Sequence, residues 1–329
     1  MQITVLCKVV DNFGDIGVVY RLSKQLKKIN PENQINLVTD NLSSFHKICS
    51  SVKCDVPVQE VEGLHVYDWN AAEICHEAFF RDDGALMPVI LECFQCGRPD
   101  WMERILFEEK LERTVHIIMI DYLTAEKYAE DFHCLQSLTR SAKVQKVNFM
   151  PGFTQKTGGL TLDDEWKDLP QWDENGPVLV FIYNKKPAAL YPEEKYLPYM
   201  NQNDWDKMMK SCSALVIRGE ETMSRACLSG IPFMWQAYPQ SEEYHLVKVK
   251  ALLERMRPHF DEQAFEIVEK AWLEINNGTP FDMNSTCNKV FFSNLKSLQS
   301  GFASFALSLR KNGDLASNLM TYIEKLAII

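Results

Sequence analysis

The strongest constraint on this chain is a repeated alternation of short apolar runs with segments of helical periodicity. It begins at Ile3 to Val10, an apolar run that reads as a buried first strand. The turn Asp11-Asn12-Phe13-Gly14-Asp15-Ile16-Gly17 follows, after which Val18, Leu22, Leu26 and Ile29 recur at helical spacing. The pattern continues with a strand at 34–40, a helix at 43–50, extended chain at 56–69, and a buried strand at 86–93 whose Pro88 must lie at its start or on an edge. A helix at 101–111, a strand at 115–121 and a helix at 124–138 complete this half. Apolar strands separated by helices bury both of their faces, so the pattern predicts a parallel sheet covered on each side.

Residues 149–177 interrupt the alternation with glycines, prolines and charges, which mark a connector. The second half restarts with a strand at 178–183, a loop holding Tyr199, Gln202 and Trp205, and a short helix. A strand at 213–218 then enters Gly219-Glu220-Glu221-Thr222, a helix at 222–228 ends at Gly230 and Pro232, and a short strand occupies 231–235. Beyond that the chain reads as helices at 242–256, 262–276, 288–298 and 315–329. A length of 329 residues favours two domains of about 150 residues over one compact core.

A net charge of −10 argues against general nucleic-acid binding and suits a cationic group on a partner. No apolar run reaches the roughly 18 residues of a membrane span, and the chain enters its first strand with no basic flank, so a cytoplasmic, membrane-free protein is expected. The ten cysteines are scattered and expected to be reduced thiols. Cys93-Phe94-Gln95-Cys96 has the spacing of half a zinc site or a redox pair, yet no second Cys-x-x-Cys accompanies it. His65, His76, His116, His133 and His245 have no partners at metal-ligand spacing, so no metal site is expected.

Several stretches carry a joint resemblance. They are Lys8 to Val18, Asp121-Tyr122-Leu123-Thr124-Ala125-Glu126, Met150-Pro151-Gly152-Phe153-Thr154 with Thr157-Gly158-Gly159-Leu160, Arg218-Gly219-Glu220-Glu221 with Arg225-Ala226, and Pro232 to Gln236 with Tyr238-Pro239-Gln240. In this order they resemble the bacterial protein-arginine rhamnosyltransferases of elongation factor P, the EarP family. The resemblance implies an α/β chain of the GT-B type, with two Rossmann-like domains facing a central cleft. The first, 1–165, would bind elongation factor P, with the last helix, about 312–329, packed back on it; the second, 176–311, would bind dTDP-β-L-rhamnose. It implies an inverting, metal-independent transfer of rhamnose to an arginine of that factor, activating it to relieve ribosome stalling at proline runs. A monomer without a cofactor is expected.

The chemistry needs particular groups. An arginine guanidinium is a poor nucleophile because its lone pairs are delocalised and its pKa exceeds about 12. A carboxylate against it can orient the nitrogen and take its proton. By resemblance Asp15 is the general base and Asp11 helps to hold the guanidinium, while Asn12, Phe13, Gly14 and Gly17 line the donor side of the same turn. Read from the turn alone, these residues equally make a capped helix start with turn glycines. A leaving diphosphate needs N–H groups and cations, which Arg218 and the helix start at Gly219, Glu220, Glu221 and Thr222 can supply. Here the resemblance gives Glu220 a ribose hydroxyl and Arg218 a nucleotide contact, although an Arg218–Glu220 surface ion pair is the plainer reading. Glu221 and Thr222 stand where aspartate and serine are usual in the family, which weakens a side-chain role at 221. Phe181, Tyr183, Tyr199, Gln202 and Trp205 fall where the thymine pocket would lie, with Gln236 and Tyr238 near it, though aromatic residues at such spacings also build cores.

Two other functions stay open on sequence. One is a related GT-B glycosyltransferase with another nucleotide sugar or acceptor, and the other is a non-enzymatic protein that binds elongation factor P.

Overall fold

The computed structural model describes all residues except 11, 12, 82, 83, 86, 184, 191–194 and 327–329. The chain divides into two units, the first made of Met1–Leu123, Lys127–Asp163 and Gly313–Ile329, the second of Thr124–Glu126 and Asp164–Asn312. Each is an α/β unit around a largely parallel sheet.

The first unit runs β1 (Gln2–Cys7), α1 (Gly14–Ile29), β2 (Gln34–Thr39), α2 (Leu42–Ile48), β3 (Val58–Val61), β4 (Leu64–Asp68) and α3 (Ala72–Phe79). A two-stranded ribbon, β5 (Phe80–Arg81) with β6 (Gly84–Ala85), precedes β7 (Val89–Cys93), α4 (Asp100–Phe107), β8 (Val115–Ile120), α5 (Tyr128–Phe132), β9 (Gln136–Ser137) and β10 (Val144–Phe149). Eight strands form one sheet in the order β3-β4-β2-β1-β7-β8-β10-β9. β4, β2, β1, β7, β8 and β10 are mutually parallel, and β3 and β9 pair antiparallel at the edges.

Because strand side chains alternate between faces, β1 feeds two cores. Ile3, Val5 and Cys7 pack with Ile16, Val19, Leu22 and Leu26 of α1, whereas Leu6 packs with Trp101, Met102, Ile105 and Leu106 of α4. The first core is closed by the last helix of the chain. Leu315, Ala316, Leu319, Met320 and Ile323 lie within it, and the Leu315 N–H donates to the Leu160 carbonyl at 2.9 Å.

The second unit carries β11 (Val178–Phe181), β12 (Ala188–Leu190), β13 (Lys195–Tyr196), α6 (Gln202–Lys210), β14 (Ala214–Arg218), α7 (Glu220–Ser229) and β15 (Phe233–Gln236). Then follow α8 (Tyr244–Met256), α9 (Glu262–Ile275), α10 (Thr286–Ser293) and α11 (Leu295–Arg310), while α12 (Leu315–Leu326) is the closing helix of the first unit. Its sheet has the order β13-β12-β11-β14-β15, with β11, β14 and β15 parallel.

The structure corrects the sequence reading at several places. Residues 124–138 are not one helix: α5 is a single short piece, and Cys134, at φ +62°, turns the chain into β9. Leu135 and Leu138 of that stretch are exposed, so its apolar spacing found no core to cover. Helix α1 begins four residues earlier than periodicity indicates, which places Gly14, Asp15 and Gly17 inside its first turns. Gln202 and Trp205 lie in α6, not in a loop, because Asn201 caps the helix by accepting from the Asp204 N–H at 2.9 Å. Helix α11 continues well past Leu298 through Gly301, where a Cβ would lie 2.3 Å from the Phe260 ring. That glycine is a point of close packing within the helix.

Candidate functional site

In the first sheet β1 is followed by β2 on one side and has β7 on the other, so the strand order reverses direction at the β1–β7 junction. Crevices at such junctions, beyond the carboxyl ends of parallel strands, are where open α/β sheets hold ligands. The turn after β1 lies there. Asp15 is buried in the first turn of α1, and its Oδ2 accepts the Val10 N–H at 2.9 Å. Beside it Asp40, just past β2, accepts the Val9 N–H at 2.8 Å. Lys8 to Val10, read as strand, therefore leave the sheet, and the amides of Val9 and Val10 are held by carboxylates.

The helix start raises the anionic character this turn can hold, since its first N–H groups carry partial positive charge. Phe13 is the N-cap residue and its carbonyl accepts the Gly17 N–H at 2.9 Å; it provides no side-chain cap. Lys47 lies 5.4 Å from the Phe13 ring centroid. Gly14 is half-buried and Gly17 buried, so the structure brings Phe13, Gly14, Asp15 and Gly17 together in one turn. Asp11 and Asn12 lie outside the described residues.

The Cys-x-x-Cys pair borders this turn. Burial first, then the neighbouring Cys96, Glu92 and Asp15, push the Cys93 thiol well above its usual range. Burial, followed by the Glu92 charge, pushes Cys96 up to about 12. Cys93 and Cys96 are free thiols held in their protonated form, which makes them weak nucleophiles.

The second sheet ends differently. The Arg218 guanidinium carbon lies 4.7 Å from the Phe181 ring centroid and 4.6 Å from that of Tyr183. Trp205 meets Phe181 edge-on at 4.9 Å, and Tyr238 meets Tyr183 at 5.3 Å. The Tyr183 N–H donates to Gln236 Oε1 at 2.8 Å, which ties the end of β11 to the end of β15. Gly219 is the N-cap of α7 at φ +75°, ψ +151°, a conformation that only glycine adopts readily, and a Cβ there would meet nothing within 4 Å. The backbone can thus be approached closely at the start of α7, where the first N–H groups of a helix lack intrahelical acceptors.

Glu220 lies 3.6 Å from Lys248 Nζ of α8. Glu221 lies 3.7 Å from Nε of the buried Arg225, and Thr222 is buried. Gln202 is half-buried at the start of α6, and Tyr199, 56% exposed, precedes it. A cleft of about 410 Å³ opens beside Tyr183 and Gln236, bounded by Pro239, His245 and Asn276. Lys248 and Asp40 escaped the sequence reading. Asp40 could have been found because it directly follows a strand end, whereas Lys248 carries no local signal.

Comparison with known proteins adds a family. The model of the elongation factor P (EF-P) rhamnosyltransferase family, EarP, matches residues 3–175 and 191–324. A protein-arginine rhamnosyltransferase of Neisseria meningitidis serogroup B is 26% identical over 333 residues, covering 83% of this chain and 84% of its own. One from Pseudomonas aeruginosa is 26% identical over 339 residues, covering 83% and 86%. A solved structure concerned with EarP-mediated arginine glycosylation of translation elongation factor EF-P aligns over 98% of this chain and 99% of its own, at 17% identity and a TM-score of 0.46.

Proposed function

The chain belongs to the elongation factor P rhamnosyltransferase (EarP) family, and on that premise we propose that it is a protein-arginine glycosyltransferase that moves rhamnose from dTDP-β-L-rhamnose to an arginine of elongation factor P. The observation that carries the reading is Asp15, a buried carboxylate at the switch point of the first sheet, fixed by the Val10 N–H and the first turn of α1.

A guanidinium nitrogen placed against Asp15 gives up a proton to the carboxylate as the nitrogen bonds to the anomeric carbon. The bond from that carbon to the diphosphate oxygen breaks on the opposite face, so configuration inverts and dTDP leaves. Asp11 is assigned to holding the guanidinium. On the donor side Arg218 and the N–H groups following Gly219 take the diphosphate charge, Glu220 accepts from a ribose hydroxyl, and Phe181, Tyr183, Tyr199, Gln202 and Trp205 receive the thymine. Asn12, Phe13, Gly14 and Gly17 complete the donor's sugar side. Arg218 and the helix start supply the positive charge, so the reaction needs no metal ion and transfer persists in a chelator. The product is a factor competent to relieve stalling at proline runs, made by a cytoplasmic, monomeric enzyme. Among the described residues no helix is long and apolar enough to cross a membrane.

Intact-mass measurement of elongation factor P after incubation with this protein and dTDP-rhamnose tests the reading. One added deoxyhexose per molecule is the expected result. An unchanged mass favours a binding protein, and transfer only from a UDP-sugar favours a related glycosyltransferase.

A further inference from the structure

One group at the carboxyl edge of the first sheet has no role in the reaction as described. After β7 the chain places Phe94 at φ +58° and Gln95 at φ +53°, both left-handed and neither glycine. Such residues persist only where their neighbours hold them. Here the Phe94 N–H donates to the Ile120 carbonyl at 2.7 Å, and Gln95 Nε2 donates to Asp121 Oδ2 at 3.1 Å. Asp121 Oδ1 in turn accepts the Tyr122 N–H at 2.8 Å. Together these bonds lay the Phe94 ring on the Tyr122 ring, with centroids 4.7 Å apart and planes 24° from parallel.

The pair stands at the ends of β7 and β8, one and two strands from β1, whose end leads into the turn that carries Asp15. Cys96, two residues past Phe94, reaches back to the Leu6 carbonyl of β1 at 3.7 Å, so this loop lies against the strand that delivers the turn. Phe94 packs on the first core, while Tyr122 remains 37% exposed. An inner ring seated on the core beneath a partly solvated outer ring, with a carboxylate bonded at its root, is a rigid and electron-rich surface. Guanidinium groups are weakly hydrated and planar, and they stack on such faces more readily than an ammonium does.

We infer that the stacked Phe94–Tyr122 pair is the shelf on which the acceptor's guanidinium lies beside Asp15, which makes Tyr122 an acceptor-binding residue and Phe94 the ring that positions it. This rests on the arginine transfer proposed above. Gln95 and Asp121 act through the shelf as positioning residues. The arrangement gives the site a preference for a flat cation over a lysine ammonium, a selection that a carboxylate alone does not make.

Tyr122→Leu and Tyr122→Phe test this with elongation factor P as acceptor and dTDP-rhamnose as donor. For Tyr122→Leu the acceptor KM rises about tenfold, a typical size for a lost cation–aromatic contact. Donor affinity by calorimetry stays within about twofold, and Tyr122→Phe keeps the wild-type KM. Phe94→Leu, the second variant, moves the acceptor KM in the same direction if Tyr122→Leu does not fold. An unchanged acceptor KM in the folded leucine variant overturns the shelf, as does an equal rise in Tyr122→Phe, which would assign the effect to the hydroxyl. A wild-type chain that adds no rhamnose overturns the functional reading itself, so the two failures are told apart in the control reaction.

Discussion

The two sheets end in opposite chemistries. At the carboxyl edge of the first, Asp15 and Asp40 bind backbone amides of the β1 turn, with a stacked aromatic pair nearby. At the corresponding edge of the second, a guanidinium lies across two rings beside an N-terminal helix turn opened by Gly219. One edge presents carboxylates and the other a guanidinium and a helix start, although both arise from the same strand-turn-helix plan. Under the proposed function, the first unit would take the acceptor arginine and the second the nucleotide diphosphate. The lesson is that the plan supplies the location and the turn residues supply the sign.

Breaking the first edge has the largest expected consequence. Asp15→Asn retains an oxygen for the Val10 N–H but removes the base, so transfer falls by about 10²–10⁴ while donor affinity is unchanged. Mass analysis of the acceptor with donor calorimetry checks both halves. If transfer were normal, the acidic edge would not be the catalytic one.

At the second edge, Arg218→Ala weakens dTDP-rhamnose binding about ten- to a hundredfold through the lost charge-assisted contacts, leaving the acceptor KM unaltered. A donor affinity equal to wild type in titration would remove the anionic role from this edge.

Gly219→Ala sharpens the comparison by separating backbone from side chain. With open space around the added Cβ, the cost comes from the φ +75° conformation, about 1–3 kcal/mol of stability measured by denaturant unfolding. Donor binding weakens along with it, because the helix start shifts.

The smallest effect is in pH. In the first unit burial lowers the pKa of His116 and of His133, whose Nδ1 accepts the Met150 N–H at 3.1 Å; in the second, burial and then Lys311 lower that of His259. A histidine with a depressed folded-state pKa is protonated more readily in the unfolded chain. Stability is therefore complete above about pH 6.5 and declines as the pH drops below that value. Hydrogen exchange along β10 should show this decline, and His133→Gln should make it shallower.

Much of the strand order along the chain was legible. The strands at β1, β2, β7, β8, β11, β14 and β15 are apolar runs because they are buried on both faces, and such runs stand out. The half-exposed β10 alternates weakly as Val-Gln-Lys-Val-Asn-Phe, and α3 buries only Cys75 and Phe79, so both were missed. Within the candidate site, the turns drew attention to Asp15, Arg218 and Gly219, while the role of Asp15 came from the family resemblance. That Tyr183 would meet Tyr238 while Phe181 meets Trp205 could not, since those contacts join positions 55 and 24 residues apart.

By itself the sequence determined the alternation of strand and helix and the turn chemistry after β1 and β14, because each depends on residues adjacent in the chain, and the family, which rests on several such local stretches in order. Tertiary structure alone decided where β1 sits in its sheet, that Gly301 is an approach point for Phe260, and that Phe94 rests on Tyr122. The physical reason is that pairing order and close packing are settled by which distant surfaces exclude water together, and no local pattern records that choice.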